Sequence, residues 1–367
     1  MIKDYPLSIL VLGASYGLAV GIRAAIAGHH VDFVCLPEQA DLIRAGRFLV
    51  RVSARNADTV LDLGAADCAR PPGALTPLEV ATSHYDLALL AMQEPQYAAA
   101  ELSDLVRRLG AGKVPCISVM NMPLPVYLLD RLGIAAADEL LDAWQNPHLW
   151  MALDPALFTA ASPDPQAIPE PSDNRLLIDV TLPSNLKVAP FPDRAAQEKL
   201  QRLARDMDAA VVERASGQLV PRVRLVAHPS PYVPMAKWPM LLAGNFRCFR
   251  KGAPVSIARA VLDDIESSRS VYAWVSALCI ELIGDRDDLH DSPFVAFDRY
   301  CRAASSLSHP SSIARGIANG AVRVERVDKL LQFLGRAVGS SHPTVDSIVA
   351  EVDRRLALNK SSQARMR

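Results

Sequence analysis

The sequence Leu7-Ser8-Ile9-Leu10-Val11-Leu12-Gly13-Ala14-Ser15-Tyr16-Gly17 lies near the start of the chain and decides the fold. Its first six residues form a largely apolar run, which is typical of a strand buried inside a parallel sheet. Gly13 ends this strand, and small apolar residues then predict a helix over 18–27 that Gly28 closes. A second strand follows at 31–35. The order of strand, glycine-containing turn, helix and strand predicts the start of a parallel α/β sheet.

The alternation of strands and helices continues to about residue 225. Further strands are predicted at 48–52, 86–91, 114–119, within 174–190 and at 209–212, and further helices at 40–46, 98–109 and 195–207. Beyond it, apolar residues recur every three to four positions in 257–265, 271–283 and 324–338, which indicates helices. We therefore predict an α/β domain over 1–225 with an insertion at about 145–175, a helical domain over 226–358 and a frayed tail over 359–367.

Charge and cysteine usage exclude several classes of protein. The chain has 39 Lys and Arg against 40 Asp and Glu, and this balance argues against a nucleic-acid partner. The longest nearly uncharged apolar run, 271–280, is shorter than the roughly 20 residues that span a bilayer, and no signal-peptide pattern is present. The six cysteines are scattered, without zinc spacing. We expect a cytoplasmic protein with free thiols, no metal, no membrane contact and a small-molecule substrate.

The turn made of Gly13, Ala14, Ser15, Tyr16 and Gly17 lies where a Rossmann-type fold binds the pyrophosphate of a dinucleotide. Glycines let the backbone approach the phosphates, and the helix N-terminus offers free N–H groups and a positive dipole end. The pattern here is GxxxG, shorter than the usual GxGxxG, with Ser15 where a glycine often stands. Two interpretations therefore stay open: a dinucleotide-binding turn, or an α/β turn without a ligand.

The residue after the second strand normally selects the cofactor. An acidic side chain there binds the ribose hydroxyls of NAD, and basic residues accept the 2′-phosphate of NADP. This chain has Cys35, followed by Leu36 and Pro37, so the acid that NAD requires is missing. Arg44 and Arg47 are the nearby basic candidates for the phosphate, or they are simply solvated residues of a helix surface.

Several segments, taken in order, resemble the ketopantoate reductase family. The resemblance covers most of the chain and rests on residues 11–29, 37–46, 85–91, 119–124 (VMNMPL, similar to the family's LQNGLGN), 237–242 (similar to its WxKLxxN helix) and 309–315. It implies a Rossmann-type N-terminal domain and an all-α C-terminal domain like that of 6-phosphogluconate dehydrogenase. It also implies that NADP (NADPH) is bound by the glycine turn together with Met92, Gln93 and Asn121.

The same resemblance implies roles for individual polar residues. Asn121 matches the family's active-site asparagine, which lies beside the nicotinamide and the substrate, although an asparagine at a strand end is also an ordinary turn former. Ser312, or its neighbour Ser311, matches the serine that contacts the substrate. A serine that follows a proline is equally well explained as a helix N-cap.

The family's catalytic lysine has no direct counterpart in this chain. It stands two residues after the tryptophan, and counting from Trp238 gives Met240, whose thioether cannot donate a proton. The family's next asparagine would fall on Gly244, with Asn245 one place beyond. Lys237 is close in sequence, but proline at 239 predicts that it precedes the helix. We therefore keep Lys237 and Asn245 as candidate catalytic residues.

The sequence thus predicts an NADP-dependent reductase of a carbonyl or imine, similar to ketopantoate reductase but with a different substrate, and either monomeric or homodimeric. Met240 and Gly244 leave an alternative open. On this alternative the same fold serves a lyase, isomerase or cyclase, or a catalytically silent ligand-binding protein.

Overall fold

The computed structural model describes residues 5–135, 137–162, 167–170, 174–180, 184–249, 253–284 and 294–366. The chain divides into two compact units. Unit 1 contains Met1–Met92, Gln96–Asp130 and His148–Pro234, and unit 2 contains Gln93–Pro95, Arg131–Pro147 and Met235–Arg367. The sequence predicted a single boundary near residue 225. In the structure the change falls after Pro234, and two short earlier segments belong to unit 2.

Strands are concentrated in the N-terminal part of the chain. They are β1 (Ser8–Leu12), β2 (His30–Val34), β3 (Phe48–Ser53), β4 (Val60–Leu63), β5 (Gly73–Leu75), β6 (Leu87–Leu90), β7 (Cys116–Ser118), β8 (Phe158–Ser162), β9 (Ala167–Glu170), β10 (Leu176–Val180), β11 (Ser184–Val188), β12 (Val212–Arg214), β13 (Gly217–Leu219) and β14 (Val223–Ala227).

Helices occur throughout and dominate after β14. They are α1 (Tyr16–Ile26), α2 (Pro37–Arg44), α3 (Ala100–Ala111), α4 (Pro125–Leu132), α5 (Asp138–Leu141), α6 (Pro147–Met151), α7 (Arg194–Ala209), α8 (Trp238–Ala243), α9 (Ile257–Leu262), α10 (Ile265–Ile283), α11 (Phe297–Ala304), α12 (Ser312–Ala318), α13 (Val327–Ala337) and α14 (Pro343–Met366). The predicted fold class is confirmed: a parallel α/β sheet in the N-terminal part and a largely helical C-terminal part.

The main sheet of unit 1 fixes the position of the candidate site. Among the described residues it has eight strands in the order β14-β11-β8-β7-β6-β1-β2-β5. The six strands from β8 to β5 are mutually parallel, and they reproduce the 3-2-1-4-5-6 order of dinucleotide-binding folds. Leu12 pairs with both Val34 and Leu90, and Leu90 pairs with Ser118. The carboxyl ends of β2, β1, β6 and β7 therefore share one edge.

Two strand predictions need correction. The segment at 48–52, predicted to follow the first two strands as a third, forms β3 in a separate sheet of order β4-β3-β10-β9. The place beside β2 is taken instead by the short β5. The predicted insertion at 145–175 contains β8, which lies in the main sheet beside β7. All residues of β8 are buried, but its sequence, FTAAS, is too rich in small residues to show a strand pattern. Within that insertion, 163–166 and 171–173 lie outside the described residues.

Helix α1 is enclosed on all sides within unit 1. Its residues 17–25 are all buried, which suits an apolar helix between packed layers. They include Arg23, whose guanidinium donates to the carbonyls of Met207 (2.5 Å), Ala210 (3.2 Å) and Val223 (3.1 Å). Burial lowers the pKa of Arg23 to about 10, so the side chain stays charged at neutral pH. It thereby caps the C-terminal end of α7, where the helix dipole is negative.

Unit 2 is a packed set of helices in which α8 lies against α10, and α13 against α14. Arg326 joins the last two helices, because it makes two 2.9 Å hydrogen bonds to the buried Asp328 and a further ion pair with Asp353. The predicted frayed tail over 359–367 also needs correction, since α14 runs on to Met366. Asn359 holds it by donating from Nδ2 to two carbonyls of the α12 region, each at 2.8 Å.

Two searches of the described part of the chain gave negative results. No helix there is long and apolar enough to cross a membrane. Within the same residues, no group of three or more His, Cys, Asp and Glu side chains could hold a metal ion.

Candidate functional site

Gly13 makes the sharp turn between β1 and α1. Its φ of +109° lies in the region that favours glycine, and its N–H donates to the carbonyl of Val34 at 2.8 Å. A Cβ at this position would lie 2.7 Å from Cγ of Met92 and 3.0 Å from the carbonyl oxygen of Ala91. The turn therefore needs glycine, and it touches the segment that follows β6.

Gly17 brings the start of α1 against the ends of two strands. A Cβ here would lie 2.6 Å from Cγ1 of Val11 in β1 and 3.2 Å from Cβ of Ala91. Close packing of helix on strand is the role of the third glycine in GxGxxG. Gly17 has that role one residue earlier in the sequence, so the shorter GxxxG pattern keeps the physical function of the longer one.

The N-terminus of α1 is suited to bind an anion. Its N-cap, Ser15, is exposed and makes no side-chain capping hydrogen bond, and the first turn contains no acidic residue. The first four N–H groups of any α-helix lack partners inside the helix, and the helix dipole is positive there. Ala14 is buried and Tyr16 half-buried, so the backbone of the turn is held in place. These residues fit the phosphates of a dinucleotide.

Met92 and Asn121 follow the next two strands along the same edge. The N–H of Val119 donates to the carbonyl of Leu90 at 2.9 Å, which keeps the end of β7 beside β6. Asn121 comes two residues later, half-exposed in the bend that leads to α4. The structure thus brings the glycine turn, Met92 and Asn121 to the ends of three adjacent strands. The Asn121 amide can both donate and accept a hydrogen bond.

Glu94, which the sequence analysis missed, anchors the chain just beyond Met92. It belongs to unit 2 with Gln93, and its side chain is 1% exposed. Its carboxylate accepts from the backbone N–H groups of Gln145 (3.0 and 3.1 Å) and Asn146 (3.2 Å). Nothing in the sequence marks this residue, because its partners lie about 50 positions away.

Lys237 and Asn245 lie at opposite ends of α8 in unit 2. Lys237 is the half-buried N-cap of the helix, so it precedes the helix as the proline at 239 predicts. Asn245 begins the 3₁₀ turn Asn245–Arg247 that follows the helix. Eight residues at about 1.5 Å each separate their backbones by roughly 12 Å. Asn245 and Lys237 are therefore not brought together as a pair.

Tyr300 explains why this chain has glycine where an asparagine would be expected. Its hydroxyl donates to the carbonyl of Met240 at 3.0 Å, and a Cβ at Gly244 would overlap that hydroxyl oxygen. Burial raises the pKa of Tyr300, so the phenol stays neutral. The space next to residue 244 is filled by a side chain that lies 56 positions further on, which no local pattern reveals.

Ser311 and Ser312 have different surroundings. Ser311 is the buried N-cap of α12: its Oγ accepts from the N–H of Ala314 at 3.2 Å and donates to the carbonyl of Asn245 at 2.8 Å. Ser312 is the exposed first residue of the helix. Of the two, Ser311 is occupied by structural contacts, and the hydroxyl at the surface of unit 2 is that of Ser312.

A comparison with protein-family models finds no match, and a sequence comparison with curated proteins finds none either. Solved structures match over almost the whole chain. A Ralstonia solanacearum MolK2 protein assigned to the ketopantoate reductases has a TM-score of 0.65 at 14% identity, with 97% of this chain and 99% of that chain covered. A PanE/ApbA family ketopantoate reductase from Ralstonia eutropha JMP134 has a TM-score of 0.62 at 16% identity, with 96% and 100% covered.

D-mandelate dehydrogenase, solved with NADH and anilino(oxo)acetate, also matches. Its TM-score is 0.62 at 11% identity, with 96% of this chain and 100% of that chain covered. At these identities the likeness concerns the fold. The resemblance seen in the sequence is confirmed at that level: the chain has the fold of the ketopantoate reductases and of D-mandelate dehydrogenase along nearly its full length.

Proposed function

We propose that this protein is a nicotinamide-dependent oxidoreductase that reduces a carbonyl or imine group of a small molecule. One observation carries the proposal: the uncapped N-terminus of α1, with Gly13 and Gly17, lies at the carboxyl edge of a sheet of order 3-2-1-4-5-6. Such an edge is where dinucleotides bind. A further support is that D-mandelate dehydrogenase, which has a similar fold, was solved with NADH.

The roles of the chain's own residues follow from their chemistry. The bound cofactor supplies a hydride to the acceptor carbon. The N–H groups of the first turn of α1 hold the pyrophosphate. Met92 covers Gly13, and Asn121 orients the acceptor: its amide N–H donates to the oxygen or nitrogen on which negative charge develops, which lowers the barrier.

The proton that completes the reduction needs a donor other than Met240. Lys237 carries an ammonium group three residues before this position and is our candidate acid. Asn245 and Ser312 are candidates for polar contacts with the substrate; Ser312 is exposed and Asn245 is half-buried.

The contact between Tyr300 and Gly244 favours a second candidate function. Gly244, with the Tyr300 hydroxyl beside it, stands where the family pattern has an asparagine, and Met240 stands where the pattern has the lysine. On this second proposal the fold binds a ligand, or catalyses a lyase, isomerase or cyclase reaction, without hydride transfer.

Cofactor titration followed by a turnover assay separates the two. NADH and NADPH are titrated into the purified protein, and consumption of the reduced cofactor is then followed with a panel of α-keto acids and imines. We expect micromolar to submicromolar binding and consumption with at least one substrate. Binding without consumption across the panel supports the second candidate. The absence of binding contradicts the proposed oxidoreductase.

A variant at Ser15 tests the site itself. In Ser15→Asp the new carboxylate lies at the positive end of the α1 dipole, which favours it by about 0.3–1 kcal/mol, but it also lies next to the phosphates. Like charges about 4 Å apart repel by several kcal/mol at an intermediate dielectric, so we expect a loss of affinity of about 100-fold or more. Ser15→Asn is the matched neutral control, because the asparagine side chain has nearly the same size and shape without the charge. Equal affinities of the two variants would remove the phosphate site from α1.

A further inference from the structure

The ends of β2 and β5 form the part of the sheet edge that selects between the two nicotinamide cofactors. Val34 pairs with Leu75, so the residues that follow the two strands, 35–38 and 76–79, are neighbours. NADPH differs from NADH by one phosphate on the adenosine ribose. That phosphate carries about −1.5 to −2 charges at neutral pH, and it requires a guanidinium or ammonium group to receive it.

Carboxylates outnumber cations at these strand ends. Glu38 lies in the first turn of α2, Asp41 one turn later, and Glu79 in the turn after β5. Oε2 of Glu79 accepts from the N–H of Thr76 at 2.7 Å, which lowers the pKa of Glu79 and keeps it ionised. Among the described residues of 35–46 and 76–79, these three acids are set against the single cation Arg44.

Arg44 already contacts a carbonyl and two of these carboxylates. Its Nε donates to the carbonyl of Ala74 at 3.0 Å, Nη1 lies 3.3 Å from Asp41, and Nη2 lies 3.6 Å from Glu79. Arg108 reaches the same turn from α3. It donates to the carbonyls of Pro77 and Val80 (2.6 and 2.7 Å) and pairs with Asp104 at 2.9 Å. Both guanidinium groups already have carboxylate and carbonyl partners.

Arg47 lies at the other end of α2 from Pro37. It follows the helix, where its N–H donates to the carbonyl of Leu42 at 2.8 Å and its carbonyl accepts from the N–H of Leu176 at 3.0 Å, so it leads into β3 and not to the end of β2. The two residues directly after β2 are uncharged: burial raises the pKa of Cys35 to about 11, and Leu36 is 64% exposed.

We infer that the site selects NADH over NADPH, with Glu38 as the acceptor for the ribose hydroxyls in place of an acid at position 35. The inference rests on the proposed function. It goes against the NADPH that the family resemblance implies, because this part of the site has an excess of negative charge and an exposed leucine. An uncharged diol tolerates such surroundings, and a carboxylate binds it, whereas a phosphate is repelled.

The test compares binding rather than turnover. The Kd values of NADH, NADPH, ADP-ribose and 2′-phospho-ADP-ribose are measured by calorimetry at low and moderate salt. We expect each ligand without the 2′-phosphate to bind about tenfold more tightly than its phosphorylated partner, and the gap to narrow as salt screens the repulsion. NADPH binding as tight as NADH overturns this inference and leaves the proposed function intact. Binding of neither cofactor overturns the proposed function, and this inference with it.

Three variants test which residues cause the expected preference for NADH. Leu36→Arg adds the missing cation, and we expect NADPH to gain about tenfold in affinity while NADH changes by less than about threefold. Leu358→Arg places the same charge on α14, and we expect it to leave the ratio of the two Kd values unchanged. Glu38→Gln removes the proposed acceptor, and we expect about a fivefold loss for NADH. An unchanged NADH affinity in Glu38→Gln overturns the role of Glu38.

Discussion

Gly17 in unit 1 and Gly244 in unit 2 are both positions where a Cβ has no room, but the reasons differ. At Gly17 the neighbours are Val11 and Ala91, which belong to the strand ends themselves. At Gly244 the neighbour is the hydroxyl of Tyr300, a side chain from another helix. The first glycine brings a helix end close to the sheet and leaves its N–H groups for a ligand. The second makes room for a side chain of the same protein. A glycine can therefore leave space for a ligand, as at Gly17, or leave space that another side chain fills, as at Gly244.

The comparison also separates two kinds of departure from a family pattern. The turn after β1 has the sequence GxxxG where the usual pattern is GxGxxG. It keeps the tight turn, the close packing of helix on strand and the helix N-terminus without a side-chain cap. The segment after Trp238 differs from the family segment that it resembles both in sequence and in chemistry, because Met240 has no proton to give and the Tyr300 hydroxyl fills the space beside Gly244. The following predictions test this contrast.

The largest effect is expected for Gly17→Asp. The new side chain would overlap the buried Val11 and place a charge without a partner between helix and sheet. We expect a loss of about 3 kcal/mol or more in the free energy of unfolding, a drop of roughly 6–12 °C in Tm. Thermal unfolding followed by circular dichroism measures it. Gly316→Asp is the control, because its nearest neighbour is 3.9 Å from the added Cβ. Equal Tm values would contradict the close packing of α1.

Asn121→Ala tests whether the reaction takes place at the carboxyl edge of the main sheet of unit 1. A half-exposed amide adds only about 0.5 kcal/mol to stability, but a hydrogen bond to developing charge contributes about 3 kcal/mol to the barrier. We therefore expect kcat/KM to fall by about 100-fold at nearly constant Tm. A fall of several degrees in Tm, with activity per folded molecule intact, would make Asn121 a structural turn residue.

A double-mutant cycle tests the filled position in unit 2. Gly244→Ala alone should cost about 1–3 kcal/mol, because the Tyr300 hydroxyl must move. Tyr300→Phe alone should cost about 1 kcal/mol, through its hydrogen bond to Met240. The double variant should be more stable than the sum of the two losses by about 1 kcal/mol. Strict additivity, measured by urea unfolding, would show that the two residues do not compete for space.

The smallest effect is expected for Met240→Lys. We expect the wild-type protein to reduce ketopantoate poorly or not at all, since a positioned acid contributes about 10²–10⁴-fold to such reactions. Restoring the lysine alone should raise this rate by less than tenfold, because Tyr300 still fills the space at Gly244. Robust ketopantoate turnover by the wild-type protein, measured by NADH or NADPH consumption, would show that Lys237 or another donor serves in its place.

The sequence predicts what local spacing controls. The apolar run before Gly13 and the small residues after it predict β1 and α1, and the C-terminal helices follow from their periodicity. Strand partners were harder to predict. β3 pairs with β10, more than 120 residues away, and this pairing removes it from the main sheet. β8 shows no apolar alternation, so its place beside β7 depends on the surrounding sheet.

The residues of the candidate site also fall into those that local sequence predicts and those that it does not. Residues that follow strand ends, such as Gly13 and Asn121, could be chosen from the chain, because parallel strands bring their carboxyl ends to one edge. The sequence did not reveal the roles of Glu94 and Tyr300 or the partners of Arg44, because each depends on residues that are distant in sequence.

The buried guanidinium of Arg23 has a consequence for biosynthesis. Two of its carbonyl partners, Met207 and Val223, lie 184 and 200 residues further along the chain. At about 5–20 residues per second, a ribosome needs about 10–40 s to make that interval. During this time Arg23 lacks these carbonyl partners, and the side of α1 that packs on α7 and β14 is uncovered. We expect nascent chains that end before α7 to be held by chaperones, and release to begin once β14 has emerged.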